Sequence, residues 1–197
     1  MMVLTAPALA TTKGLSQIVT PELQDEGTLS VSAQWQARRI ANPYETQLEA
    51  GLTSWLEVAA FKGYSPGEWI GGALASLAKT GPYLLTTGFI NWSSRGGEPQ
   101  PLLEGGYYTE HDKFMGGPIV VDHHTQAMAG WAHDFNSTWR AQIDWQSGSA
   151  NWWTLGFTHN VTPHFQYNPA LYFPNDDVHN IVGYVVGTYT FTLWQPR

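Results

Sequence analysis

The chain contains no cysteine. That absence removes disulfide frameworks, thiolate zinc centres and cysteine nucleophiles together. Charge is also scarce: Asp, Glu, Lys and Arg make up 13% of the residues, about half the usual share, while 43% are hydrophobic. A soluble domain this poor in charge has little with which to wet its surface. Long apolar runs are missing too. No segment approaches the roughly 20 consecutive apolar residues of a membrane-spanning helix. Lys and Arg number only 9 against 16 Asp and Glu, a net charge of −7, and form no basic stripe, which argues against a nucleic-acid partner.

What is present is glycine (20 residues), aromatic side chains (14%, with 10 Trp) and alternation. Leu29, Val31, Ala33, Trp35 and Ala37 alternate with Ser30, Ser32, Gln34, Gln36 and Arg38. This period of two puts one apolar and one polar face on a strand. Leu48, Ala50 and Leu52 alternate with Gln47 and Glu49, and Leu56, Val58 and Ala60 with Glu57, across a turn near Thr53-Ser54. The clearest case is 138–146, where Trp139, Ala141, Ile143 and Trp145 oppose Thr138, Arg140, Gln142, Asp144 and Gln146. A closing strand sets Ile181, Val185, Tyr189, Phe191 and Leu193 against Thr188, Thr190 and Thr192.

Weaker strands are expected near 68–79, 82–94, 100–110, 113–121, 124–134, 150–160 and 163–174. They are separated by turn signals such as Thr80-Gly81-Pro82, Arg95-Gly96-Gly97 and Asn136-Ser137. The total is about twelve strands at the length and even number of a bacterial transmembrane barrel. The fold expected is all-β: a closed, antiparallel, up-and-down transmembrane barrel over 28–197 with short loops and both chain ends on one side. Residues 1–27 read as an extended N-terminal lead-in. Within it, Met1–Ala10 resembles the end of an export signal, without a basic start.

Three stretches fit this pattern poorly. Ser65-Pro66-Gly67-Glu68 has the form of a helix start, followed by a helical stripe of Trp69, Ile70, Ala73, Leu74, Leu77 and Ala78, so helix and strand both stand open over 65–79. Pro118 and Pro169 fall within expected strands, where each removes a ladder hydrogen bond and points to a bulge. The stretch 151–160 is apolar on both faces, which means either a misread register or a packed lumen.

Residues 137–177 carry a recognisable rhythm: Asp144-Trp145-Gln146-Ser147-Gly148, then Leu155-Gly156-Phe157, Asn160-Val161-Thr162-Pro163 and Pro174-Asn175-Asp176. This resembles the C-terminal half of porin-like bacterial outer-membrane barrels, including those associated with the MetA pathway of phenol degradation. Residues 42–61 are similar to the second hairpin of the same proteins. The resemblance implies an outer-membrane location and a transport role, and supplies no catalytic residue.

On this reading Gln34, Gln36, Arg38, Gln47, Glu49, Glu57, Arg140, Gln142, Asp144 and Gln166 line the lumen, and Trp35, Leu48, Trp139, Ile143, Trp145, Tyr189 and Phe191 face lipid. The partners are then the bilayer and small polar solutes, with no cofactor. The tryptophans serve as interfacial girdles. Two other readings remain open: a soluble Trp-rich β-sandwich that binds carbohydrate, and a plugged barrel with a structural or partner-binding role.

The histidines invite a metal hypothesis around Asp122, His123, His124, His133 and His111-Asp112, but neighbouring strand residues point to opposite faces. The same divergence separates the sequence dyads His111/Asp112 and His133/Asp134, so neither forms a ready acid–base pair. No serine sits in a nucleophile elbow. The chain does not read as an enzyme. The Asn91, Asn136 and Asn160 sequons matter only in a glycosylating source.

Overall fold

The computed structural model describes residues 14–38, 40, 42–65, 67–176 and 180–195. The strands are β1 (Thr28–Gln36), β2 (Tyr44–Thr53), β3 (Leu56–Tyr64), β4 (Gly67–Thr80), β5 (Tyr83–Ser93), β6 (Gln100–Tyr108), β7 (Asp112–Val121), β8 (His124–Asp134), β9 (Trp139–Gln146), β10 (Trp152–Asn160), β11 (Phe165–Pro174) and β12 (Val182–Thr192). Each pairs antiparallel with its sequence neighbour, and β1 closes on β12 with Thr28 opposite Thr192 and Gln36 opposite Tyr184. The result is a closed twelve-stranded barrel with no free edge. Both ends of the strand array lie at one rim, where the Leu193 amide donates to the Gly27 carbonyl at 2.7 Å.

Local chemistry explains the turns. Asp122 and His123 join β7 to β8 with φ of +49° and +64°, the two left-handed residues that a tight hairpin turn requires. The sharp Gly81-Pro82 turn between β4 and β5 uses Gly81 at φ +56°.

The helical option over 65–79 is resolved as strand. Residues 67–80 are hydrogen-bonded to β3 on one side and β5 on the other. The apparent helical stripe arises because both faces of β4 are apolar: Trp69 and Leu77 are exposed on the outside while Leu74 is buried inside. Pro66 lies outside the described residues. The expected bulges at Pro118 and Pro169 are absent. Register runs past both prolines unshifted, Pro118 opposite Ala127 and Pro169 opposite Val185. On the other side of each proline the ladder lapses in step, between Leu102↔Ile119 and Gly105↔Gly116 and between Gly156↔Ala170 and His159↔Tyr167, so the lost donor costs pairing without adding a residue. The shifts fall instead at Gly51/Thr53, Gly71/Ala73 and Ser76/Ala78.

The outer surface is apolar and banded. Towards the rim that carries the chain ends stand Tyr83, Tyr107, Phe114, Trp139, Tyr189 and Phe191, all exposed; towards the other rim stand Trp35, Tyr44, Tyr64, Trp69, Trp92, Trp145 and Trp153. Between the two bands are Leu48, Leu85, Leu103, Ile143, Leu155 and Leu171, also exposed.

Candidate functional site in the barrel lumen

Residues 14–27 run inside the barrel. From Gly27 at the rim, with Glu26 bridged to Gly51 of β2, the chain climbs into the lumen and turns back on itself, the Leu15 amide donating to the Ile18 carbonyl. We call this segment the strap. It is held in two chemically distinct ways.

One wall of the lumen, from β4 to β8, presents Leu74, Leu102, Met115, Ile119, Met128 and Ala132, and these bury Leu15 and Ile18 at 4% and 2% exposure. Burying two such side chains is worth about 1.5–3 kcal/mol each. The opposite wall is polar and takes up the strap backbone. The Ser16 amide donates to Asp144 Oδ2 at 2.6 Å and the Gln17 amide to the same carboxylate at 3.2 Å. Tyr172 Oη donates to the Ser16 carbonyl, and Gln142 Nε2 to Ser16 Oγ at 3.1 Å. Nearer the rim the Gln24 amide donates to Glu57 Oε2 at 2.6 Å, Thr86 Oγ1 to the Pro21 carbonyl at 2.6 Å and Lys113 Nζ to Glu22 Oε2 at 2.9 Å. Backbone amides removed from water need such partners, and a carboxylate is the strongest acceptor available.

The wall is also shaped for the strap. A Cβ on Gly106 would stand 2.7 Å from Pro21 Cγ, one on Gly130 2.4 Å from Leu15 Cδ1, and one on Gly156 2.9 Å from Ser16 Oγ. Three inward positions on β6, β8 and β10 thus lack side chains where the strap passes.

Two cavities flank it. On the side of the chain ends a space of about 470 Å³ is lined by Glu22, Asp25, Glu110, Lys113, Asp134 and Arg140 among others. The cations there are already engaged, Arg140 donating to both Asp134 oxygens at 2.6 and 3.0 Å and Lys113 to Glu22. Towards the other rim a space of about 340 Å³ is lined by Gln34, Gln36, Gln47, Gln146 and Asn151, with Trp152, Tyr172 and Tyr184; among the described residues its charged lining is Glu45, Glu49 and Glu57. Gln47 Nε2 donates to Gln34 Oε1 at 2.7 Å, the start of an amide array along β1 and β2.

The structure brings the residues singled out from the sequence together as follows. Gln36, Glu49, Glu57, Gln142, Asp144 and Gln166 are buried inside, and Gln34 and Gln47 border the second cavity. Arg140 points inward to Asp134. Arg38 lies past the end of β1, exposed at the rim beside Asn42 and Glu68. Trp35, Leu48, Trp139, Ile143, Trp145, Tyr189 and Phe191 are all exposed on the outer face.

Sequence reading missed the strap's place, along with Glu45, Glu104, Asn168 and Tyr184 as inward residues. A signal for them existed in the parity of β2, β6, β11 and β12, once register was known. The doubly apolar 151–160 is accounted for by a packed interior: Trp152 is buried against Tyr172 and Ala170, while Trp153, Leu155 and Phe157 face outward.

Among the described histidines His111 and His133 approach each other, with ring centroids 6.3 Å apart. His123 sits in a turn and His124 begins β8, and among the described residues no group of three or more His, Asp or Glu is placed to hold a metal. The sequence dyad His133/Asp134 comes apart. Asp134 turns inward to Arg140, whereas His133 Nδ1 lies 2.9 Å from Asp112 Oδ1 on the outer face, where Trp131 Nε1 donates to the same oxygen at 3.0 Å.

The fold is thus a closed antiparallel barrel with an apolar, banded exterior and a lumen that is polar on one wall and apolar on the other. Solved structures with this fold include the KdgM porin (TM-score 0.57, 11% identity, covering 83% of this chain and 99% of that one). The KdgM porin in complex with disordered oligogalacturonate gives a TM-score of 0.58 at 12% identity, covering 83% and 99%. The NanC porin gives 0.55 at 12% identity, covering 82% and 98%. No family model matches the chain, and no curated protein sequence matches it. At these identities the likeness is one of fold. The β-sandwich alternative is overturned by the closed strand order.

Proposed function

We propose that this chain is a bacterial outer-membrane barrel that gives small polar solutes a porin-like path, and that it is not an enzyme. The observation that carries the reading is the contrast between the two faces of one sheet: leucines between aromatic bands outside, amides and carboxylates around two cavities inside. The porin folds it matches support the same reading. Kinship with the barrels of the MetA pathway rests on the rhythm of residues 137–177 and the similarity of residues 42–61.

The solutes we propose are neutral or cationic. The KdgM porin was solved with oligogalacturonate, a polyanion. Here the second cavity carries Glu45, Glu49 and Glu57 as its charged residues, and the inward Lys113 and Arg140 are each paired to a carboxylate. A polyanion would meet like charge there, with no Lys or Arg among the described residues of that lining to offset it. Reconstitution in planar bilayers under a KCl gradient tests this: small single-channel steps with a reversal potential on the cation side are expected. Anion selectivity would remove the solute class, and silence across many insertions of folded protein would favour a plugged barrel with a structural role.

A further inference from the structure

We propose that the lumen wall is a peptide-binding groove, occupied in this chain by its own residues 14–24, and that release of this strap joins the two cavities into one wider path. The proposal rests on the passage reading above. Three independent observations support it. The strap's contacts come from both chemistries a peptide site needs: an apolar wall for the Leu15 and Ile18 side chains, and Asp144 accepting two consecutive backbone amides. Gly106 and Gly130 leave room where Pro21 and Leu15 pass, so the wall complements this peptide in shape. The strap crosses the lumen between cavities of about 470 and 340 Å³, so its position decides whether they communicate.

Recognition is of a turned segment with apolar side chains at its two ends, Leu15 and Ile18, and with the amides of Ser16 and Gln17 between them free to donate to the wall. Because the strap is tethered at Gly27, it faces the groove at an effective concentration of about millimolar, so a free peptide must be supplied at a comparable level to replace it. No barrel strand has to break for the strap to leave, since its anchors are side chains of the wall and one short bridge at Gly51.

The test compares the full chain with Leu15→Asp/Ile18→Asp, which changes the strap and leaves every strand untouched. Both are incorporated into planar bilayers after gel-shift confirmation of folding. The wild type is expected to give narrow steps and the double variant steps several-fold larger. Adding the synthetic peptide GLSQIVTPELQDEG, the sequence of residues 14–27, to the double variant should restore narrow steps, and the same peptide with both Asp substitutions should not.

A lock gives the converse. Pro21→Cys/Gly106→Cys places sulfurs within disulfide reach, given the 2.7 Å approach noted above. Its rare wide openings should vanish on oxidation and return with reductant, which tests the strap even if the Asp variant does not fold. Equal steps in wild type and double variant, or a lock without effect, would overturn the proposal while leaving the passage reading intact. Binding of fluorescent peptide to the double variant and not to the wild type, with no conductance from either, would uphold the groove and remove the passage.

Discussion

At the level of single residues, facing is what the sequence makes legible, because a strand's side chains alternate strictly and neighbours meet opposite solvents. Ile143 is exposed outside and Gln142 is 1% exposed inside, one residue apart on β9. Arg at Ile143 is expected to cost about 2–4 kcal/mol of folding stability in lipid, because the charge sits near mid-bilayer. The matching inward probe is not Gln142, whose amide group is engaged with Ser16 and Thr158. Gln34 is half-buried beside the second cavity, where it bonds to Gln47 and donates to the Glu45 carboxylate; an Arg there keeps room and an anionic partner, so Gln34→Arg should change stability far less. Urea titrations in vesicles decide it: equal losses at the two positions would mean that the outer face does not meet lipid. Trp145→Gln adds a second check, since an interfacial anchor should be missed more in some bilayer compositions than in others.

Strands whose inner face is polar were readable in sequence, and those whose inner face is apolar were not. β1, β2, β9 and β12 show the alternation plainly because Ser, Thr, Gln and Glu recur on their lumen side opposite outward aromatic and aliphatic residues, whereas in β10 and β11 the inward Trp152, Ala170 and Tyr172 blur it. From β4 to β8 the inner positions include Leu74, Leu102, Met115, Ile119 and Met128, so the two faces resemble each other and period two fades into a helical stripe. The cause is the strap, which covers that wall. Its own sequence sets Leu15, Ile18, Val19 and Leu23 among polar residues and Pro21, a spacing that follows no strand or helix period. This predicts a difference within one strand. Leu74→Ala, buried under the strap, should cost about 2–5 kcal/mol as a core cavity does. Leu77→Ala on the exposed face of β4 leaves no cavity and should cost much less. Comparable losses in an equilibrium unfolding series would indicate that the strap does not pack on this wall in the membrane.

For the whole molecule, closure and charge act together. Joining β1 to β12 leaves no unpaired edge, so the outer surface can be apolar throughout and the scarce charges are free to concentrate inside. The distribution there is uneven. Lys113 and Arg140 stand in the half of the lumen nearest the chain ends, each bound to a carboxylate, while Glu45 and Glu49 line the other cavity together with neutral amides. A cation entering from that side meets carboxylates before it meets the strap. Glu45→Gln/Glu49→Gln keeps the shape and most hydrogen bonds of the lining and removes two negative charges. It should therefore move the reversal potential in a KCl gradient towards zero with little change in step size. Arg140→Gln, at the far side of the strap, frees Asp134 and should push selectivity further towards cations. If the Glu double variant alters step size instead of reversal potential, those residues shape the path and do not select by charge. If neither variant changes selectivity while the channel still conducts, ions bypass both cavities.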